Sequence, residues 1–263
     1  MAKESAFANL SDRADPTVNR ITVADVRRAL AQGWDDFMSS PTQLVFLVVI
    51  YPVIGFIAAY GASGGDLLPL VWPLVSGFAL VGPVAALGIY ELSRRREQGL
   101  PVSWLNAFDV LRSPALFAII VLGVMLFAIF VAWVATARGI YNATFGAAPP
   151  ASVADFAWRL FHTDEGWRLI LIGNGVGLLF AAVVLALTVV SFPLLLDRQT
   201  DPGTAVRTSV RAVLANPVPM ALWGLIVAVL LMLGSLPFFV GLAVALPVLG
   251  HATWHIYRRV VAA

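Results

Sequence analysis

The sequence contains no cysteine, and it is short of charge. Asp, Glu, Lys and Arg make up 12% of its 263 residues, about half the share of an ordinary soluble domain. The first absence excludes disulfides, thiolate metal sites and cysteine nucleophiles. The second stands beside a hydrophobic content of 60%. A soluble core of this size cannot hide that much apolar surface, so the solvent is read as lipid. The net charge of +2 is too small to point to nucleic acid. The first 40 residues lack the short apolar core of a signal peptide, so the chain is expected to enter the membrane through its own spans.

Six apolar segments are present: Leu44 to Tyr60, Leu67 to Tyr90, Ala115 to Ala137, Leu169 to Leu196, and a pair within the 39 charge-free residues from Ala212 to Gly250. One crossing needs roughly 20 residues, and "GSLP" at 234–237 supplies turn chemistry. The pair is therefore read as a tight hairpin, Val218–Leu233 and Leu236–Ile256. With alternating crossings, 14 of the 17 basic residues fall on one side. The positive-inside rule places that side, and both termini, in the bacterial cytoplasm.

A threefold pattern runs through the chain. "DDFMSSP", "FDVLRSP" and "RAVLANP" end at Pro41, Pro114 and Pro217. Each follows an amphipathic stretch: Val23–Met38, Trp104–Leu111 and Ala205–Leu214. Proline disfavours helix in the preceding residue and is tolerated in the first turn of the next helix. The expected fold is an all-α membrane protein of six transmembrane helices in three hairpins. Each hairpin is preceded by a cytoplasmic amphipathic helix lying in the headgroups. Residues 1–21 form a polar tail and 22–260 a single transmembrane domain. The external loop, 138–168, holds a further amphipathic helix capped by Ser152.

The spans contain almost no ionisable group, which argues against proton or ion coupling. No nucleophile with its base, phosphate loop or metalloprotease helix is present, so the chain is read as non-enzymatic and without a cofactor. His251 and His255 are four residues apart and share one helix face. They cannot clamp a haem from both sides, and the third histidine, His162, lies in the outer loop. A divalent metal held with Glu91 is an open alternative. The reading preferred here is a pair of amphipathic rings finishing a helix at the membrane surface. Glu91 is placed to pair with Arg95 at i, i+4. Arg94, Arg95, Arg96, Arg198 and Arg258 form the candidate docking set for anionic lipid or a partner. Gly173, Asn174 and Gly177 are the candidate helix-packing residues.

Together "GWDDF", "GPVAALGIYELSRRREQG", "FPLLLDRQTD", "NPVPMALWG" and "LPVLGHATWHIYR" resemble the bacterial integral-membrane family called domain of unknown function 2189, over about Val23 to Val260. Some members of that family carry the label of a cytochrome c oxidase subunit. The resemblance implies an inner-membrane protein near respiratory enzymes and supplies no catalytic residue. The histidines that haems and copper need are missing, so an accessory role is the most that label implies. Two functions are therefore expected. One is an accessory or assembly subunit among other integral-membrane subunits. The other is an autonomous channel or lipid/small-solute transporter, since transporters are often internally duplicated.

Overall fold

The computed structural model describes residues 16–39, 68–80, 82–236 and 239–262. Among these the fold is all-helical, apart from one antiparallel bridge between Val18 and Val261. The elements are α1 (Val23–Ser39), a 3-10 turn (Leu68–Leu70), α2 (Val71–Leu80), α3 (Gly82–Ala85), α4 (Leu87–Glu97) and a 3-10 helix (Trp104–Arg112). There follow α5 (Leu116–Phe145), α6 (Val153–His162), α7 (Asp164–Thr188), α8 (Ser191–Arg198), α9 (Pro202–Ala215), α10 (Pro217–Ser235) and α11 (Leu242–Val260).

Three described helical stretches are long and apolar enough to cross a bilayer: Leu116–Phe145, Asp164–Arg198 and Pro217–Ser235. Their large apolar side chains stand exposed, among them Phe117, Ile120, Val124, Leu171, Leu178 and Leu225. In water so much contiguous apolar surface would drive association; in lipid it is the ordinary outer surface of a crossing helix. The segment expected from Leu44 to Tyr60 lies outside the described residues. The one expected from Leu67 to Tyr90 is described as short pieces ending in α4. The charge-free run from Ala212 to Gly250 divides into α10 and α11, the second starting at Leu242 rather than at the expected Leu236, with Gly234 and Gly241 close together between them. A Cβ on Gly241 would stand 2.7 Å from the Gly234 Cα, so only glycine permits this approach.

The three amphipathic helices share a beginning. The Thr22 backbone N–H donates to Asp25 Oδ2 (2.8 Å) and the Asp25 N–H to Thr22 Oγ1 (3.3 Å). The Ser103 N–H donates to Asn106 Oδ1 (2.9 Å). The Thr204 N–H donates to Asp201 Oδ1 (2.9 Å). Each pair is spaced i, i+3, and each satisfies backbone donors that a helix start leaves open. The ends are breaks before proline: Ser113 is extended (φ −66°, ψ 137°), and Asn216 is non-helical (φ −132°, ψ 52°). The Ser40–Pro41 break lies outside the described residues.

Contacts divide the chain into two compact units, Met1–Phe46 with Pro83–Gly123 and Leu185–Ala263, and Leu47–Gly82 with Val124–Val184. In the second unit the core forms around Trp133, which is 5% exposed. Its Nε1 donates to the Pro73 carbonyl (2.8 Å) and its ring lies 5.5 Å from that of Phe180. Helix α6 belongs here. The Asp155 N–H donates to the Ser152 hydroxyl that caps it (3.1 Å), and Phe156 meets Tyr141 and Phe145.

In the first unit α1 lies on α11. Its buried residues Val26, Ala29, Gly33, Asp36 and Phe37 form one stripe. The apolar stripe expected of a headgroup helix is thus covered by protein, while Trp34 and Met38 remain exposed. Helix α9 likewise turns Thr204, Ala205, Thr208, Ser209 and Ala212 inward. The end of the polar tail is also ordered. The Asn19 N–H donates to Val260 O (2.7 Å) and the Ala262 N–H to Thr17 O (3.1 Å).

Asn216, read only as the polar residue before a proline, is 2% exposed and ties this unit together. Its Oδ1 accepts from the Ile21 N–H (2.7 Å), and its Nδ2 donates to Asn19 O and Ala212 O (both 3.0 Å). Asn216→Leu leaves the Ile21 donor buried without a partner, a loss of about 1–3 kcal/mol. Denaturant unfolding in detergent should therefore show a lower midpoint for Asn216→Leu than for Leu214→Asn, which changes an exposed position.

Candidate functional site

The face of α1 that packs on α11 carries one charge. Asp36 shares the stripe of Ala29, Gly33 and Phe37 by helical spacing, so its carboxylate is carried into the interface, 8% exposed. An unpaired buried carboxylate is costly, and two elements supply partners. From α4, Arg96 donates to Asp36 Oδ1 (3.0 Å) and to the Asp36 carbonyl (3.1 Å). From α11, His255 Nε2 lies 2.9 Å from Asp36 Oδ2. Burial works to raise the Asp36 pKa. The hydrogen bonds from His255 and Arg96, together with the electrostatic pull of the two histidines, outweigh burial and hold it below the usual carboxylate range.

His251, one turn away, lies with Nδ1 2.6 Å from Ser93 Oγ and 3.8 Å from Asp36 Oδ2. Its Nε2 is buried with no hydrogen-bond partner among the described residues. Serine, histidine and aspartate thus meet, but not as a nucleophilic triad. There the base engages the serine through one ring nitrogen and the orienting carboxylate through the other. Here both approach the same nitrogen, and Ser93 is 2% exposed.

The structure brings the two histidines together with Asp36 and Ser93 rather than with Glu91. Both Glu91 oxygens accept from Arg94, at 2.8 and 2.9 Å. This corrects the expected Glu91–Arg95 pair; Arg95 turns instead to Asp109 (3.3 Å). Among the described residues no group of three His, Asp or Glu is arranged to hold a metal ion.

A second polar cluster joins α4, α8 and α11. Asp197 Oδ2 accepts from the Tyr257 hydroxyl (2.5 Å) and from Arg258 (3.3 Å). Glu97 accepts from Trp254 Nε1 (3.0 Å) and from Arg258 Nε (2.9 Å). Arg198 donates to the Ala262 carbonyl. The arginines proposed for docking therefore divide in two. Arg96, Arg198 and Arg258 are drawn into contacts that join helices, while Arg94 and Arg95 line a cavity with Arg112.

Of the helix-packing residues, Gly177 faces Trp133: a Cβ there would stand 3.1 Å from the ring edge. Gly173 faces open space. Asn174 donates to the Ile170 carbonyl of its own helix (2.7 Å) and is exposed. His162 stacks on Trp158, with ring centroids 5.2 Å apart, in the outer helix α6.

Sequence reasoning missed Asp36, Ser93 and Glu97. For Asp36 a signal existed: a carboxylate on the apolar stripe of an amphipathic helix has to be matched by something.

Residues 71–197 match the model of the family described as a predicted integral membrane protein, domain of unknown function 2189. The resemblance read from the sequence holds over that segment, and the description carries no oxidase label. No curated protein and no solved structure matches the chain.

Proposed function

We propose that this integral membrane protein is a non-enzymatic accessory or assembly subunit of a larger complex in the bacterial cytoplasmic membrane. A respiratory cytochrome oxidase is the host suggested by the label that some family members carry. In this reading the chain crosses six times as three hairpins, each led by an amphipathic helix, with both termini in the cytoplasm. The thrice-repeated i, i+3 cap and the adjacency of Val18 to Val261 support that layout.

One observation carries the reading. The buried carboxylates of the first unit are matched by groups of the chain itself: Asp36 by Arg96 and His255, Glu91 by Arg94, Asp197 by Tyr257 and Arg258. The crossing helices offer apolar surface to whatever lies beside them. Such a scaffold holds helices in register and presents no reactive group to a substrate. Tagged protein taken from its own membrane in mild detergent should bring down integral-membrane subunits in fixed ratio. Haem bands would appear in the eluate if the host is an oxidase. A lone, colourless protein would overturn the reading. The threefold repeat favours one alternative, a channel or a lipid/small-solute transporter. That alternative requires flux across reconstituted vesicles, and their tightness to ions, solutes and lipids would remove it.

A further inference from the structure

The corner where α5 enters the bilayer borders a cavity of about 380 Å³, lined by Glu91, Arg94, Arg95, Asp109 and Arg112, together with Ser113, Pro114, Leu196 and Gln199. That is near the lower end of the roughly 300–1,000 Å³ of small-ligand sites. Three arginines face two carboxylates, so the lining carries one net positive charge. Arg94 is fixed by Glu91. Arg95 and Arg112 share Asp109, at 3.3 and 3.8 Å. The Arg112 side chain is 88% exposed, so its guanidinium can turn to another anion at little cost.

Depth in the membrane follows from the lining itself. Helix α5 exposes apolar side chains from its first turn, with Phe117 77% exposed, while its far end carries Arg138 and Asn142. Hydrocarbon therefore begins at about Phe117, and the Ser113–Pro114 corner lies at headgroup level. Leu196 and Gln199, at the end of the second crossing stretch, reach the same cavity. A basic cavity at that depth meets phosphate esters before any other anion.

We infer that this cavity is a binding site for a phosphate group, gripped by Arg95 and Arg112 beside Arg94, with the headgroup of an anionic phospholipid as its membrane source and inorganic phosphate as its soluble one. Guanidinium groups suit phosphate because their planar forks match its oxygens. The site is independent of any protein partner, so its test does not depend on the subunit reading.

The test uses the full chain in mild detergent, titrated separately with short-chain phosphatidylglycerol, short-chain phosphatidylcholine and inorganic phosphate, and followed by calorimetry. The expected result is saturable binding of phosphatidylglycerol that weakens at least tenfold in the Arg95→Gln/Arg112→Gln variant. Arg27→Gln, on the exposed side of α1, should leave binding unchanged. Arg94 is left intact, because removing it would strand buried Glu91. A matched thermal midpoint would show that the double variant folds. Phosphatidylglycerol displaced by inorganic phosphate identifies the phosphate as the recognised group; binding of inorganic phosphate alone assigns the site to the soluble source. Equal binding of phosphatidylcholine and phosphatidylglycerol, no binding of either anion, or binding indifferent to the double variant would overturn the inference.

Discussion

Asp36→Leu is expected to destabilise the protein by about 3 kcal/mol, the lower end of what removing one partner of a buried ion pair costs. The lower end applies because Arg96 and His255 keep 33% and 21% of their side-chain surface. Two donors lose their acceptor at once, and Ser93 and His251 lose a neighbouring carboxylate. Asp25 gives the contrast on the same helix. Its partner Arg28 is 66% exposed, such surface pairs contribute only about 0–1 kcal/mol, and losing its exposed cap at Thr22 costs about 1 kcal/mol. Urea unfolding in micelles compares the two directly, and similar losses for Asp36→Leu and Asp25→Leu would sink the argument.

Asp36 also sets a pH dependence. A carboxylate whose folded pKa is lowered stabilises the fold above its unfolded value, near 3.9. That stabilisation is lost as pH falls through the lower folded value. Wild-type stability should therefore drop on acidification below about pH 4. Asp36→Asn should be weaker at neutral pH and flatter through that range. A variant as steep as the wild type there would mean that other groups carry the acid response.

The second large effect is expected from Gly33. A Cβ at this position would stand 2.6 Å from the Ala252 backbone nitrogen, 2.7 Å from the Ala252 Cβ and 2.8 Å from the Val248 carbonyl. Two of those three atoms are backbone and cannot swing away, so α1 itself has to lift. Ordinary overpacking costs about 1–3 kcal/mol, and Gly33→Leu should exceed that range, because separating the helices also breaks the Asp36 contacts. Gly33→Ala separates two opposing terms. Alanine favours a helix over glycine by roughly 1 kcal/mol, so a net loss of stability would isolate the clash. Limited proteolysis of α1 in detergent reads both variants: faster cleavage than wild type is expected, in the order Leu, then Ala. Unchanged protection of Gly33→Leu would mean that α1 does not depend on this crossing.

Much of the helical frame was legible because lipid imposes a simple rule: a crossing helix needs a long apolar run, and runs are visible. Ala115–Ala137 and Val218–Leu233 lie within or close to α5 and α10. The proline breaks at 114 and 217 were legible because their steric effect is local. The site was not legible, because its contacts join distant parts of the chain. Asp36 meets Arg96 and His255 at sequence separations of 60 and 219. In "GWDDF" it reads as one more charge on a polar helix. Glu91 could reach Arg94 or Arg95 by spacing alone, and only packing decides. Gly33 carried a hint, since glycine in a helix interior is unfavourable unless something comes close. The i, i+3 caps at Thr22, Ser103 and Asp201 were readable and would have strengthened the repeat.

The seating of α1 on α11 has a consequence in time. Asp36 is translated long before His255, and at about 5–20 residues per second a separation of 219 positions takes roughly 10–45 s. Throughout that interval the stripe of Val26, Ala29 and Phe37 has no protein to cover it, although the helix already holds its own cap at Thr22 and Asp25. A membrane surface is the shelter at hand for such a stripe. The pattern that reads as a headgroup helix describes where α1 waits, and the finished fold shows where it goes once the last helix has been made.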